Sequence, residues 1–210
     1  VFTISFSSFA GYSILETPRP IFIDDAVCTG DYIWYTFYYD NDNSLPFAGR
    51  PVRVGKLHIP TKHNHLFEVE GKYSISENIQ IAAGDSSHFA VLLNSKMYYY
   101  NGFNWKTFTN VAYLKKIMAL PSGKIMLLSV DHLGSIESDT IKMTSRLDLE
   151  IDQYLEDMGT DSSGNVWIIS KNQIASNRDS VWKREFTCDS TYELRKVHTH
   201  IDGSVCFSTI

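Results

Sequence analysis

One pattern recurs along the chain and limits what it can fold into: a short polar turn that runs straight into an apolar, strand-like segment. Its fullest copy is Asp161-Ser162-Ser163-Gly164-Asn165-Val166-Trp167-Ile168-Ile169-Ser170. Ser-Ser-Gly suits a tight turn, because Gly takes φ > 0 without a Cβ clash. Val-Trp-Ile-Ile is β-branched and aromatic, which suits a pleated, packed surface. With Val166 as the anchor, Ile125 takes its place in Ser122-Gly123-Lys124-Ile125-Met126-Leu127, and Val205 in Asp202-Gly203-Ser204-Val205-Cys206-Phe207. Phe89 takes it in Ser86-Ser87-His88-Phe89-Ala90-Val91 without the Gly, and Ile33 in Gly30-Asp31-Tyr32-Ile33-Trp34-Tyr35 with the Gly one place early. Successive anchors are 56, 36, 41 and 39 residues apart, and 38 residues lead from Val205 to Ile33 through the chain ends.

A period of roughly 40–45 residues made of strands and turns is the length of one four-stranded unit of a radial repeat fold. The remainder of each unit agrees. After Phe89 come Met97-Tyr98-Tyr99-Tyr100, the turn Asn101-Gly102 and Trp105-Lys106-Thr107-Phe108, and Asn-Gly behind an aromatic run is a hairpin signal. The anchor strand and its turn resemble the repeats of β-propeller sensor proteins, whose blades carry a Gly-Asn-x-Trp-Ile-like strand, and Trp105 and Trp182 resemble the outer-strand aromatic of those repeats. The turn only partly resembles an Asp-box turn, since Ser162 stands where that motif has Asp. The resemblance implies an all-β propeller of five four-stranded blades, or part of a larger propeller, with the ring closed by pairing of the N- and C-terminal segments. The alternative is a set of unrelated hairpins in another all-β fold.

Length allows one domain over 1–210. Phe2, Ile4 and Phe6, then Tyr12 and Ile14, read as a hairpin ahead of Pro18-Arg19-Pro20. The runs at 113–119 and 152–158 have apolar spacing that fits either a helix or a strand; the repeat wants inner strands there, with a helical turn at Leu147 to Ile151. The stretch Asp40 to Pro51 is the longest polar departure and reads as an inserted loop. The net charge of −5 is spread along the chain without a basic run, so nucleic acid is not an expected partner. No apolar stretch approaches the length of a membrane span. The chain begins at Val1, from which we expect a processed product or a piece of a larger polypeptide. Cys28, Cys188 and Cys206 are an odd count, read as buried thiols acting as small hydrophobes, with a Cys28–Cys206 bridge between neighbouring blades as the alternative.

Signatures of catalysis are missing: there is no Gly-x-Ser-x-Gly, His-Glu-x-x-His or phosphate-binding Gly loop. Asp24, Asp25, Asp85, Asp161, Glu156 and Asp157 are candidate acids for a hydrolase by position alone. Asp40, Asp42 and Ser44 have the alternate-oxygen spacing of a calcium loop, but Leu45 and Pro51 stand where that loop needs Gly and Glu; a solvated turn without a cofactor is the expectation. His63 and His65, and His198 and His200, could each share a face on a strand, and two ligands do not make a zinc site.

The resemblance therefore implies a non-catalytic propeller that binds a protein or a glycan through loops on one face. Those loops are Asp40 to Pro51, Asn94 to Lys96, Val130 to Leu133 and Lys171 to Gln173. Tyr38, Tyr39, Phe47 and Arg50 are the anchor candidates, because aromatics and Arg dominate binding hot spots. The alternatives are a carbohydrate-active hydrolase of the five-bladed type and a structural scaffold subunit of a larger assembly. An extracellular or cell-surface location is the expectation.

Overall fold

Each anchor found in the sequence begins, or lies one residue into, the second strand of an antiparallel sheet. The computed structural model describes residues 21–39, 49–73, 79–93, 96–109, 113–189, 191, 193–200 and 202–209. The first sheet holds β1 (Ile21–Thr29), β2 (Tyr32–Tyr39), β3 (Arg50–His58) and β4 (His63–Tyr73). The second holds β5 (Ile79–Ala83), β6 (Phe89–Leu93), β7 (Lys96–Tyr100) and β8 (Trp105–Phe108). The third holds β9 (Leu114–Ala119), β10 (Ile125–Ser129), β11 (His132–Glu137) and β12 (Thr140–Ser145). The fourth holds β13 (Leu155–Thr160), β14 (Val166–Ser170), β15 (Gln173–Ser176) and β16 (Lys183–Thr187). The fifth, among the described residues, holds β17 (Leu194–Thr199) and β18 (Val205–Thr209). Strands follow chain order within every sheet. The expected helical turn is a 3₁₀ turn over Arg146–Leu149, capped by the Ser145 side chain.

The second strands explain how the sheets stack. β6, β10 and β14 are buried at every position, so both of their faces are packed. Phe89, Val91 and Leu93 join Trp34, Val52 and Val54 of the first sheet, with Phe89 and Trp34 stacked 4.7 Å apart. The alternate residues Ala90 and Leu92 join Ile117, Ile125 and Leu127 of the third. Met126 and Leu128 join Leu155, Met158, Val166 and Ile168 of the fourth. Trp167 and Ile169 join Leu194, Val197 and Phe207 of the fifth. The period of two therefore sends consecutive residues into different cores. The first strands pack in the series β1, β5, β9, β13, β17, and among the described residues no comparable packing returns from β17 to β1.

Three of the turns into second strands share one form. The backbone N–H groups of Leu120, Asp161 and His200 bond the carbonyls of Lys124, Asn165 and Ser204, and Gly123, Gly164 and Gly203 bond back to the same three residues. These glycines have φ of 85°, 83° and 81°. Asp161 strengthens its copy. Its Oδ1 accepts from the N–H groups of Ser163 and Asn165, and its Oδ2 from Asn165 Nδ2 and, at 3.1 Å, from Trp167 Nε1. The turns also touch their neighbours: a Cβ on Gly203 would lie 2.1 Å from Ser162 Cβ, whereas at Gly164 the nearest atom would be 3.9 Å away.

Two expectations are corrected here. Arg50 and Pro51 belong to β3, not to the loop, because β3 extends past its pairing with β2 and continues along β4 alone. Pro51 thus sits at a bulge, beyond the end of the β2–β3 pairing, where its missing N–H costs no ladder bond. Cys28 and Cys206 are free and exposed, and only Cys188 packs against a core. The expected hairpin and ring-closing strand before Pro18, and the loop residues 40–48, lie outside the described residues.

Gly164→Ala isolates the backbone cost of a left-handed residue, roughly 1–2 kcal/mol. Gly203→Ala adds the clash with Ser162. Thermal melting of both variants is expected to rank Gly203→Ala as the more destabilised, and the reverse order would remove the turn-to-turn contact from the account.

Candidate binding face

The inner edge of each sheet is its first strand, whose outer side has no strand beside it. Backbone groups there need partners, and side chains of the preceding sheet supply them. Gln80 on β5 donates Nε2 to the Lys115 carbonyl and accepts from the Ile117 N–H. Lys115 Nζ reaches the Leu155 carbonyl and Glu156 Oε2. Lys116 Nζ reaches Asp157 Oδ1 and the Met158 carbonyl, both at 2.7 Å. Asp157 Oδ2 accepts from the Val197 N–H at 2.9 Å. These bridges join like positions of β5, β9, β13 and β17, so those strands run in the same sense and the turns into β6, β10, β14 and β18 share one face.

Four first strands carry a bulge at one register. Asp24, Lys115, Glu156 and Arg195 are each the extra residue, and each is followed by a residue that faces the fourth residue from the anchor on the second strand: Asp25 opposite Thr36, Lys116 opposite Leu128, Asp157 opposite Ile169, Lys196 opposite Ser208. β5 pairs straight, with Gln80 opposite Leu92. A bulge bends the strand and re-aims one side chain, and here that side chain is charged in every case. Asp157 is buried and ion-paired to Lys116. Burial lifts the Asp25 carboxyl above its ordinary range, opposed by one bond from the Ala26 N–H.

On the face of the anchor turns, acids are held by the turns themselves. Asp85 Oδ1 accepts from the Ser87 and His88 N–H groups, and Asp202 Oδ1 from that of Ser204. For Asp161, burial alone would raise the pKa, but the donors Asn165, Trp167 and Ser163 hold it below the usual carboxylate range. Of the acids singled out in the sequence, Asp85, Asp161 and Asp157 thus carry structural bonds.

The opposite face receives the connections between second and third strands and between sheets. The first sheet brings Tyr38 and Arg50 together there. The Arg50 guanidinium lies 3.7 Å above the Tyr38 ring, whose centroid is 5.1 Å from that of Phe22, and Arg50 is 6% exposed. Tyr39, on the alternate side of β2, has Arg53 over its ring at 4.7 Å. Phe47 and the three oxygen-bearing residues Asp40, Asp42 and Ser44 lie outside the described residues. Two residues missed in the sequence stand on this face: Tyr113 and Tyr154, 77% and 60% exposed, each two places before a bulged residue. Leu147 on the 3₁₀ turn is exposed as well, and Arg146 lies over the Tyr154 ring at 5.6 Å. The signal was available, since Tyr113-Leu-Lys-Lys and Tyr154-Leu-Glu-Asp are one pattern with opposite charge. The His63 and His65 rings meet edge-on at 4.4 Å on β4, and no group of three His, Cys, Asp or Glu among the described residues could hold a metal ion.

Comparison with solved structures decides the fold. A streptogramin B lyase structure superimposes with a TM-score of 0.55 at 17% identity, covering 89% of this chain and 62% of that one. The extracellular domain of the hybrid two-component system BT3049 from B. thetaiotaomicron gives 0.52 at 13% identity, covering 93% of this chain and 28% of that one. The corresponding domain of BT4673 gives 0.52 at 12%, with 94% and 27% covered. The fold is a β-propeller. The chain spans less than two thirds of the length of these neighbours. No family model and no curated protein matches the chain. The sheets are thus propeller blades, and the bulged register lies on their innermost strands. No helix among the described residues is long and apolar enough to cross a membrane.

Because Trp167 Nε1 donates to Asp161 Oδ2, the indole N–H resonance reports the Asp161 charge. A depressed folded pKa means that the stabilisation is present above the unfolded pKa and is lost as pH falls through the folded one. An acid titration followed by NMR is expected to show a midpoint for this resonance below the ordinary 3.8; a midpoint at or above that value would break the assignment.

Proposed function

We propose that this propeller is a non-catalytic binding module that takes a protein or glycan partner on the face opposite the anchor turns. The observation that carries the reading is the pair of exposed tyrosines at like positions of the third and fourth blades. Asp85, Asp161 and Asp202 are committed to the anchor turns, while the other face presents Tyr113, Tyr154 and Leu147 to solvent beside charged side chains; the exposed Phe103 and Val181 stand on the anchor-turn side. Exposed aromatics flanked by charges give contact area at low entropic cost and orient a polar partner. Tyr38, Tyr39 and Arg50 extend the same face at the first blade, with the Arg50 guanidinium lying over the Tyr38 ring; Phe47, the fourth anchor candidate, lies outside the described residues. Extracellular domains among the structural neighbours support an extracellular or cell-surface setting. The ring in this reading holds five blades, and the N-terminal segment completes the blade begun by β17 and β18.

A glycan array and a pull-down with the intact chain test the function. Capture of a glycan or protein is expected, with affinity about tenfold weaker for Tyr154→Ala, the cost of losing one hot-spot residue. Cleavage of a captured sugar would replace the binding reading with the hydrolase, and capture unaffected by Tyr113→Ala and Tyr154→Ala would move the site elsewhere. Ring closure is checked separately: slow hydrogen exchange is expected in 1–7 and 203–209, and fast exchange in both would open the ring.

A further inference from the structure

We propose that the first blade carries a second binding site, on the anchor-turn side where it adjoins the second blade. Its occupant is an acidic peptide segment whose carboxylates pair with Lys56, His58, His63 and His65 and whose apolar side chain meets Phe103. The site is separate from the tyrosine face and independent of that reading.

Strand register builds the patch. Tyr32 of β2 faces His58 of β3, which faces His63 of β4. In the next row Trp34 faces Lys56, which faces His65. Opposite residues on antiparallel strands share a face, and so do residues two apart. All six side chains therefore stand together. In the row below, Val54 and Phe67 belong to the core between the first two blades. Trp34 lies against Phe89 and Tyr100, at the anchor-turn ends of β6 and β7, with centroids 4.7 and 5.9 Å away. The patch thus begins where that core ends. Burial falls off outward: Trp34 is buried, Tyr32, Lys56 and His58 are half-buried, and His63 and His65 are exposed.

Basic groups collect here without acids to match. Lys56 Nζ stands 4.5 and 5.1 Å from the centroids of the Tyr32 and Trp34 rings. Among the described residues, none of Lys56, His58, His63 and His65 has a carboxylate within 4.0 Å. Burial pushes the Lys56 ammonium below its ordinary range, opposed by the charge of Asp85 on the facing blade. Asp85 itself is held by the Ser87 and His88 N–H groups and the His88 ring. A cation desolvated over aromatic rings gains from an added anion. On a chain of net charge −5, an acid-free patch of one ammonium and three imidazoles is a local exception that favours an acidic partner.

An apolar contact stands beside the cations. Phe67, two residues beyond His65, lies 5.3 Å from Tyr100 and 6.0 Å from Trp105. The turn that joins Tyr100 to Trp105 carries Phe103, 88% exposed. An acidic segment with an apolar side chain would meet cations from the first blade and a ring from the second. A bare anion would leave Phe103 in water.

The test is an NMR titration of the intact chain with an acetylated and amidated Glu-Phe-Glu-Leu-Glu peptide. Saturable shifts are expected at Lys56, His58, His63, His65 and Phe103, with affinity falling as salt is added. Roughly tenfold weaker binding is expected for the Gln-Phe-Gln-Leu-Gln analogue, and likewise for the chain carrying both His63→Gln and His65→Gln. Phe103→Ser, at an exposed position, is expected to weaken the acidic peptide by roughly threefold or more. Equal affinity for the neutral analogue overturns the proposal without recourse to any variant. So do a Phe103→Ser chain that binds as the parent does, shifts confined to Tyr113 and Tyr154, or no shift at millimolar peptide. Shifts with dextran sulfate but none with the peptide would make the patch a polyanion site and overturn the peptide as its occupant.

Discussion

Among the described residues the first strand of each sheet has one edge that no strand covers, and the arrangement of the blades depends on how that edge is satisfied. A row of unpaired N–H and C=O groups costs stability when dry and invites foreign strands when wet. On β9, β13 and β17 the row is met by side chains from the blade before. Gln80 caps β9, Lys115 and Lys116 cap β13, and Asp157 caps β17, while the Thr199 hydroxyl returns a bond to the Thr160 carbonyl. The chemistry of each link differs, but the place is the same. Because each link joins equivalent positions, it also sets the relative height of neighbouring blades, which apolar packing alone would leave free to slide.

The apolar cores then supply the stacking energy. A second strand buried on both faces has no solvent side to lose, and its consecutive residues belong to different cores. The first two blades fill their gap with aromatic rings, Trp34 on Phe89 with Phe67, Tyr100 and Trp105 around them. The gap between the third and fourth blades uses mainly Leu, Ile and Met, and rings return between the fourth and fifth, where Trp167 meets Phe207. Gly159 lets β17 close in tightly, since a Cβ there would fall 2.5 Å from Val197 Cγ1. Gly123 and Gly203 serve both the left-handed backbone and the approach of turn to turn, whereas Gly164 serves the backbone alone.

How much of this was legible in the sequence follows from which forces are local. Turn chemistry and β-branched strands are local, so the five anchors fall at the starts of β2, β6, β10, β14 and β18. The inner strands at 113–119 and 152–158 were separable from helices only through the repeat, because apolar spacing there fits both. The bulges were hidden. In four units the residue at the shared register lies nine places before the anchor, but in the first it lies eight before, since the turn at Gly30 is one residue shorter. Counting alone would choose Asp24; strand pairing chooses Asp25. Arg50 was misplaced for a related reason: proline reads as a strand breaker, and only tertiary pairing with β4 shows that β3 continues through Pro51 past the end of its pairing with β2.

The same accounting bears on where recognition can occur. A side chain that holds a neighbouring blade cannot also give its bond to a ligand without loosening the ring. That removes Gln80, Lys116 and Asp157 from the set available for binding, although polar residues at the axis of a radial fold would draw attention first. It also removes Asp85, Asp161 and Asp202 on the anchor-turn face. What remains is set by the register itself. Tyr113 and Tyr154, two places before the bulges of β9 and β13, precede the pairing of those strands, so they are large and exposed without disturbing either the edge bonds or the cores. The construction therefore separates positions that hold the blades together from exposed positions that do not, and the binding face proposed above is built from the second class.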